Sequence, residues 1–500
     1  MKQIKTEHIH NTALLFILMA PFAIVYYGSY LFNPANSGNI FLYIFQLLAD
    51  TIAIVNLGTL WLTILLDLIQ PEYHKRNLKY DKVWIEKEQL SIDILIPVAN
   101  EPFAIIEKTI TAAVSIEYPH NTYVLDDGNA AEVKKLAEKL GIIYLARPHY
   151  AKAYAKSGNL NYGLKHAKAD FFAVFDADHV PEKTFLTELL PFFQNKKVAL
   201  VQTPQHYVNT DNFIASGTAQ AQEVFYKYVQ PAKNSYNASF CVGTNMIYRR
   251  SAIEAIDGIA RVDHSEDVWT TIRLHEKGYE SVFYNKILAK GRAPETIPAF
   301  FRQQNRWARG GFSLFLTHNP LFIKSLTTDQ KLQYFFSNIH YFSAFSILTY
   351  LLFPIIFLLF GIYPMNVNHS QEWLIHFLPY FITIYFLPLF LLGSFRLSTI
   401  CTSIASFAPY IKAFFSVALK NKYTWIATES KKKQFNVILT EIWPHLFIIV
   451  LSLLSIVVGW YNVTDFTLTI VTTFWVLLNA YFMFIFIKNG LVGQVTTDNI

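Results

Sequence analysis

Six stretches of the chain, approximately residues 12 to 33, 41 to 69, 336 to 361, 373 to 394, 438 to 460 and 464 to 487, are apolar over the roughly 20 residues a helix needs to cross a hydrocarbon layer. The first is too long and too aromatic for a secretory signal core and runs straight into a second span, so it is read as retained. The loops 33 to 39, 363 to 372 and 461 to 465 hold no Lys or Arg, whereas the alternate connections hold Lys2, Lys5, all of 70 to 335, Lys412 to Lys433 and Lys488. Basic loops stay cytoplasmic, which predicts cytoplasmic termini and a large cytoplasmic insertion. A seventh apolar stretch, Leu397 to Leu419, is broken by Pro409 and Lys412 and runs into Lys420, Lys422 and Lys431 to Lys433. Crossing the membrane there would strand those charges outside, so an amphipathic helix in the cytoplasmic interface is predicted. Pro71 to Glu86 and Phe300 to Ile323, mixed basic and aromatic, are read as interfacial too.

Between the second and third spans the pattern changes to alternating strand and helix. Ile92 to Val98 is apolar apart from Asp93, as in a strand buried on both faces, and Asn100-Glu101-Pro102 opens a helix with Pro in its first turn. Tyr123 to Leu125 is a strand ending at Asp126-Asp127-Gly128, and Ala130 to Leu140 is a helix closed by Gly141. Ile142 to Ala146, Phe171 to Phe175 and Ala199 to Gln202 are further strands; Pro181 starts a helix after Asp176-Ala177-Asp178, and Val268 to Gly278 is helical. The expected fold is an α/β domain with a Rossmann-like, mostly parallel sheet, inserted in an α-helical membrane domain of about six spans plus interfacial helices. The division is residues 1–70 (two spans), 71–330 (cytoplasmic domain with interfacial helices) and 331–500 (four spans). Ligands of such a sheet bind outside the carboxyl ends of its strands, where both acidic clusters fall.

Composition narrows the chemistry. Of 500 residues 53% are apolar and only 16% charged, which excludes a disordered chain and an ordinary soluble enzyme. Two cysteines make no disulfide framework. The net charge of +6 would suit nucleic acid, but the basic residues follow the membrane face and no recognition module occurs, so no nucleic-acid partner is expected. There is no Gly-x-Gly-x-x-Gly, Cys-x-x-Cys or His-Glu-x-x-His, and Gly158 to Gly163 is followed by Leu164 where a phosphate loop needs Lys. Asp-x-Asp at a strand end suits a hard divalent ion, Mg²⁺ or Mn²⁺, whose shell substrate phosphates complete; capping of the following helix is the alternative for Asp178.

The ordered set Asp126-Asp127-Gly128, Asp176-Ala177-Asp178-His179, Ser265-Glu266-Asp267 and Gln303-Gln304-Asn305-Arg306-Trp307 resembles the D, DxD, [ST]ED, QxxRW signature of membrane-embedded family 2 glycosyltransferases, the cellulose-synthase-like and hyaluronan-synthase-like enzymes. Asn100-Glu101-Pro102, Lys156-Ser157-Gly158-Asn159-Leu160-Asn161, Val201-Gln202-Thr203-Pro204 and Phe240-Cys241-Val242-Gly243 extend the resemblance, which covers roughly residues 40 to 490.

The resemblance implies a GT-A-type domain, a UDP-sugar donor and a growing polysaccharide acceptor, in the inner membrane of a bacterium. Asp126 or Asp127 would hold the uridine, with Asn100 and Glu101 near the base. Asp176 and Asp178 would hold the metal, and Lys156 and Arg306 would add positive charge to the diphosphate. Asp267 would be the general base, with Glu266 beside it; capping is the alternative for the pair. Gln303 would orient the acceptor, Trp307 would stack a sugar ring or anchor the interface, and Gly243 and Cys241 would line the same wall unless Cys241 is merely packed. Tyr423 to Lys431 resembles the family's gating loop at Trp425 and Thr428 but departs at Ala427 and Ser430. Asp50, His340 and Tyr341 would line a channel for the product, though Asp50 could instead pair with another helix.

UDP-glucose is the expected donor and UDP-N-acetylglucosamine the alternative; the linkage stays open. A transferase that hands one sugar to a polyprenyl phosphate, and a transporter or inactive scaffold, are the competing readings. About a dozen residues follow the last span, so no cyclic di-GMP-binding domain is expected there, and any control would come from elsewhere, with accessory subunits among the partners considered.

Overall fold

The computed structural model describes residues 11–69, 83–148, 153–262, 265–366, 370–394, 396–421, 435–463 and 465–497. The strands are β1 (Ile92–Val98), β2 (Asn121–Asp126), β3 (Ile143–Leu145), β4 (Phe171–Val174), β5 (Val180–Pro181), β6 (Val198–Gln202), β7 (Met246–Arg249), β8 (Glu280–Phe283) and β9 (Ala289–Lys290). Seven of them form one sheet in the order β3-β2-β1-β4-β7-β6-β8, parallel except where β7 runs against β4 and β6. β1 matches its predicted span and is buried throughout. Its one charge, Asp93, is tolerated because its carboxylate accepts the backbone N–H groups of Lys168 and Ala169 at 2.9 Å and the Asn121 amide at 3.2 Å. Gly141, at φ 67°, ends the helix Ala131–Leu140 in the left-handed conformation expected of it.

Two expectations fail. Pro181 does not start a helix: with Val180 it forms β5, paired with β9, and the next helix begins at Phe185. The antiparallel strand β7 is not among the expected strands: its four residues are too short a run to declare a strand or its direction.

Helices Asn11–Leu31, Ile40–Ile69, Ser370–Leu392, Phe435–Tyr461 and Phe466–Thr497 overlap predicted spans, the last running on past its expected end at 487. The remaining one, 336 to 361, is compound: the helix Thr328–Ile339 passes through a 3-10 turn, His340–Phe342, into Ser343–Phe360. Among the described residues five stretches are long and apolar enough to cross a membrane: Ile40–Leu65, Thr328–Phe360, Leu397–Ala418, Ile438–Tyr461 and Phe466–Val492; Leu15–Leu31 is shorter. Leu397 to Leu419, expected as one interfacial helix, is two, Leu397–Ala405 and Phe407–Ala418, meeting at Ser406. The first packs on the helix Phe213–Val224 and the second along Ile297–Leu316.

Asp50 is fully buried, and its carboxylate accepts from Tyr27 Oη at 2.6 Å, Gln46 Nε2 at 2.5 Å and Tyr350 Oη. It joins helices rather than lining a passage. His340 and Tyr341 occupy the 3-10 turn, where Tyr341 lies against Gly311.

Candidate active site

The carboxyl edge of the sheet gathers the predicted residues. β1 delivers Asn100 and Glu101, β2 delivers Asp126 and Asp127, and β4 delivers Asp176. Because β7 is reversed, its amino end lies on this same edge: Val174 pairs with Met246, and the Asp176 N–H donates to Thr244 Oγ1 at 2.9 Å. The loop carrying Cys241 and Gly243 is thereby set beside the Asp-x-Asp turn. Gln202 fixes that loop, accepting the Val242 N–H at 3.0 Å and donating to the Thr244 carbonyl at 2.7 Å.

Lys156 bridges the two. Its Nζ donates to Asp176 Oδ1 and, at 2.8 Å, to the Gly243 carbonyl. Burial alone would lower the Lys156 pKa, but Asp176, Glu266 and Asp267 hold it above its ordinary value. Asp178 accepts from His179 Nδ1 at 2.8 Å; burial opposes its ionisation, yet the His179 contact keeps its pKa low and raises that of His179. Asp178 keeps 29% and Asp176 34% of its side chain accessible although protein surrounds them, as expected of groups lining a recess. Burial, with Asp178 and Asp176 adding, pushes Glu101 up to about 7, so Glu101 faces this cluster.

One potential ligand atom from each of Asp176, Asp178 and His179 lies within 4.8 Å of the others. Two carboxylates and an imidazole suit a divalent cation of the Mg²⁺ or Mn²⁺ type. Gly291 permits the arrangement, since a Cβ there would fall 2.4 Å from His179 Nε2.

Asp267 lies beside Gly243 and Lys156. A Cβ at Gly243 would lie 3.3 Å from Asp267 Oδ2 and 3.4 Å from Lys156 Nζ, so the three groups converge. Burial, then the charge of Glu266, raises the Asp267 pKa to about 7. Asp267 sits in the first turn of the helix Glu266–Glu276, which follows Ser265 at φ 52°. The helix Ile297–Leu316 docks here through Gly310, where a Cβ would stand 1.7 Å from Ser265 Oγ. Gln303, Arg306, Trp307 and Gly310, spaced by three, four and seven, share one helical face, and the contact at Gly310 sets that face against Ser265, two residues before Asp267. Gln303 Oε1 is buried with no partner among the described residues, and Trp307 is half-buried. The Arg306 charge reaches Tyr207, which also feels Asp178 and Asp176.

Three of the expected site residues have partners within the protein. Asp126 is saturated within the protein: it accepts the N–H groups of Gly128 (2.7 Å), Asn129 (3.0 Å) and Ala130 (2.7 Å) and the Tyr144 hydroxyl (2.9 Å). Asp127 pairs bidentately with buried Arg147, at 2.6 and 2.7 Å, and Arg147 also donates to the carbonyls of Ala153 and Ala155, the residues just before Lys156. Both carboxylates therefore organise loops; Asn100, at φ 67° against Gly128, is the neighbouring group. Cys241 is fully buried, its Sγ accepting the Gly243 N–H at 3.3 Å, so it backs the wall rather than facing the recess. Trp425 and Thr428 lie outside the described residues.

Sequence reasoning missed Arg147, whose ion pair joins positions 20 residues apart, and Tyr226. Tyr226 lies in a π-helical turn, Phe225–Val229, and its hydroxyl senses Tyr207, Asp267 and Cys241. Such turns recur at functional sites, but nothing in a local sequence pattern announces one.

The family model described as "Glycosyl transferase family group 2" matches residues 171–395. The Cellulose synthase 1 catalytic subunit (UDP-forming) of Komagataeibacter xylinus is 35% identical over 280 residues, 54% of this chain and 37% of that protein. The Cellulose synthase catalytic subunit (UDP-forming) of Pseudomonas fluorescens (strain SBW25) is 33% identical over 296 residues, 57% of this chain and 40% of that one. The chain thus spans about two fifths of the length of these curated relatives. Among solved structures, the mannosyltransferase PcManGT from Pyrobaculum calidifontis, in complex with GDP-Man and Mn²⁺, superposes with a TM-score of 0.53 at 14% identity, covering 75% of this chain and 100% of that one; that likeness is one of fold. Residues 171–395 of the chain thus resemble a family 2 glycosyltransferase domain, and its sheet has the fold of that mannosyltransferase. Five stretches among its described residues are long and apolar enough to cross a membrane.

Proposed function

We propose that this protein is an inverting glycosyltransferase that polymerises sugar from a UDP-sugar, UDP-glucose by preference, into a β-linked glucan and passes the chain across the membrane. The observation that carries this reading is the convergence of Asp176, Asp178, Lys156, Gly243 and Asp267 on one recess, in a chain 35% identical to a cellulose synthase catalytic subunit over 54% of its length.

Asp176 and Asp178, with His179 beside them, would hold Mg²⁺ or Mn²⁺, which neutralises diphosphate charge when bound. Lys156 and Arg306 supply fixed positive charge at the same end of the recess. Asp267 takes the proton from the acceptor hydroxyl as that oxygen bonds to the anomeric carbon; the bond to the diphosphate breaks on the opposite face, UDP leaves with its electron pair, and an α-linked donor gives a β product. Trp307 offers an apolar face to the acceptor ring, and Gln303, with its buried unpartnered Oε1, a polar group to orient it. The turn holding His340 and Tyr341, at the foot of the same helix, is the natural entry to a path between the membrane helices. The basic loops argue for a cytoplasmic catalytic domain, with accessory subunits as separate partners.

A donor screen on the purified protein in lipid vesicles with Mg²⁺ or Mn²⁺ tests the reading. Incorporation from UDP-glucose that Asp267→Asn abolishes is expected; incorporation unaltered by that change would refute the assignment of the base.

A further inference from the structure

Behind the recess, two ionisable side chains of the α/β domain grip consecutive residues of the helix Thr328–Ile339, which leads into the membrane. Lys233, 2% exposed, donates through Nζ to the main-chain carbonyl of Gln333 and, at 3.2 Å, to Gln333 Oε1. His275, 3% exposed, bonds the Tyr334 hydroxyl at 2.9 Å and Ser281 Oγ at 3.0 Å. Ser281 Oγ donates to the Ser239 carbonyl at 2.6 Å, so it accepts from His275 Nε2–H, and the bare Nδ1 of the neutral ring accepts from Tyr334. Burial drives His275 down to about 3, in keeping with a neutral ring.

Each end of this network leads to the recess. His275 lies on the helix that begins Glu266-Asp267. Ser239 precedes Phe240 to Gly243, and Gln230, one turn before Lys233, fixes Phe240 by donating to its carbonyl at 3.0 Å and accepting its N–H at 3.3 Å. Gln330, one turn before Gln333 and Tyr334, donates to the Asn237 carbonyl at 2.8 Å. Beyond them the same helix runs into the turn where Tyr341 meets Gly311. Burying an ammonium group against a carbonyl and an amide is costly for stability, and burial alone lowers Lys233 to about 7. A packed apolar residue would join two elements at less cost; what the polar grip adds is a fixed register.

We infer that Lys233 and His275 are positioning residues, which lock the membrane-entering helix Thr328–Ile339 in register with the Asp267 helix and the Gly243 wall so that the acceptor end meets the base. The inference rests on the function proposed above and adds to it a device that acts first on the acceptor side, since none of the donor groups Lys156, Asp176 and Asp178 stands on the two helices it joins.

Lys233→Met, Tyr334→Phe and Gln333→Glu, assayed per folded molecule in vesicles, test this. Lys233→Met is expected to lower kcat about tenfold and Tyr334→Phe about threefold, with donor KM within about twofold, because small misplacements of a reacting group lower rate steeply. Gln333→Glu is expected to cost less than about twofold alone, where Lys233 gains a carboxylate partner, and more than about tenfold in the Lys233→Met background, where that carboxylate is buried unpaired. Unchanged kcat in Lys233→Met, or a rise in donor KM as large as the fall in kcat, would overturn the inference. Hydrogen exchange supplies a readout independent of activity: faster exchange in both Thr328–Ile339 and Glu266–Glu276 is expected for Lys233→Met, and unchanged exchange in Glu266–Glu276 would overturn the clamp. If the wild-type protein transfers no sugar, the proposed function fails while the exchange measurement still decides the clamp.

Discussion

Gly310 and Ser265 stand so close that a methyl group on Gly310 would occupy the space of the Ser265 hydroxyl, 1.7 Å away. This contact sets the helix carrying Gln303, Arg306 and Trp307 against the start of the helix carrying Asp267, the proposed base. Gly310→Ala must therefore push Ser265, and Asp267 with it, out of place. Overpacking of this kind costs about 1 to 3 kcal/mol, and where it displaces the base the expected result is a fall in kcat of at least about tenfold with donor KM little changed. Ser265→Gly removes both clashing atoms and tolerates the positive φ, so the double variant should recover most of the rate. Steady-state kinetics of the two single variants and the double one check this.

The pH profile should follow Asp267. A carboxylate raised to about 7 holds its proton to higher pH than usual, and a general base works only without it. Transfer is therefore expected to rise with pH through about 7 and to be lost below it. Asp267→Asn should lower the rate by about 10² to 10⁴-fold and abolish that limb while nucleotide binding persists. A limb that survives in Asp267→Asn would assign the titration to another group.

Asp127 and Arg147 should behave as a structural pair. Removing one partner of a buried ion pair costs about 3 to 5 kcal/mol, so Asp127→Asn should lower the melting temperature of the nucleotide-free protein. It should also raise donor KM, because Arg147 holds the carbonyls of Ala153 and Ala155 next to Lys156. A change in KM with no thermal shift would instead indicate that Asp127 contacts the nucleotide directly.

Chelation of divalent ions should abolish transfer, and Mg²⁺ or Mn²⁺ should restore it. With Asp178→Asn the metal concentration for half-maximal rate should rise by at least roughly tenfold. Titrating each ion against both proteins measures this directly.

The parts of this molecule legible in its sequence are those with local causes. β1 declares itself by seven buried residues in a row, Gly141 by the left-handed cap it makes, and the membrane helices by their length of apolar chain. The candidate site was legible as an ordered set of motifs, and the recess joins Asp176, Asp178, Lys156, Gly243 and Asp267. What the sequence hid is set by contacts between distant residues. Asp126 and Asp127 look like free carboxylates until Tyr144 and Arg147 are seen to engage them. Asp50 looks like a channel residue until Tyr27 and Tyr350, from two other helices, close around it. Pro181 carries a helix-start signal, but pairing with Ala289 overrides it.

The product itself is the most direct test of the account. Purified protein in lipid vesicles, supplied with radiolabelled UDP-glucose and Mg²⁺ or Mn²⁺, should release UDP in step with the growth of a long β-linked glucan, identified by size and linkage analysis. A single sugar on a lipid carrier, or no transfer from any UDP-sugar, would contradict it.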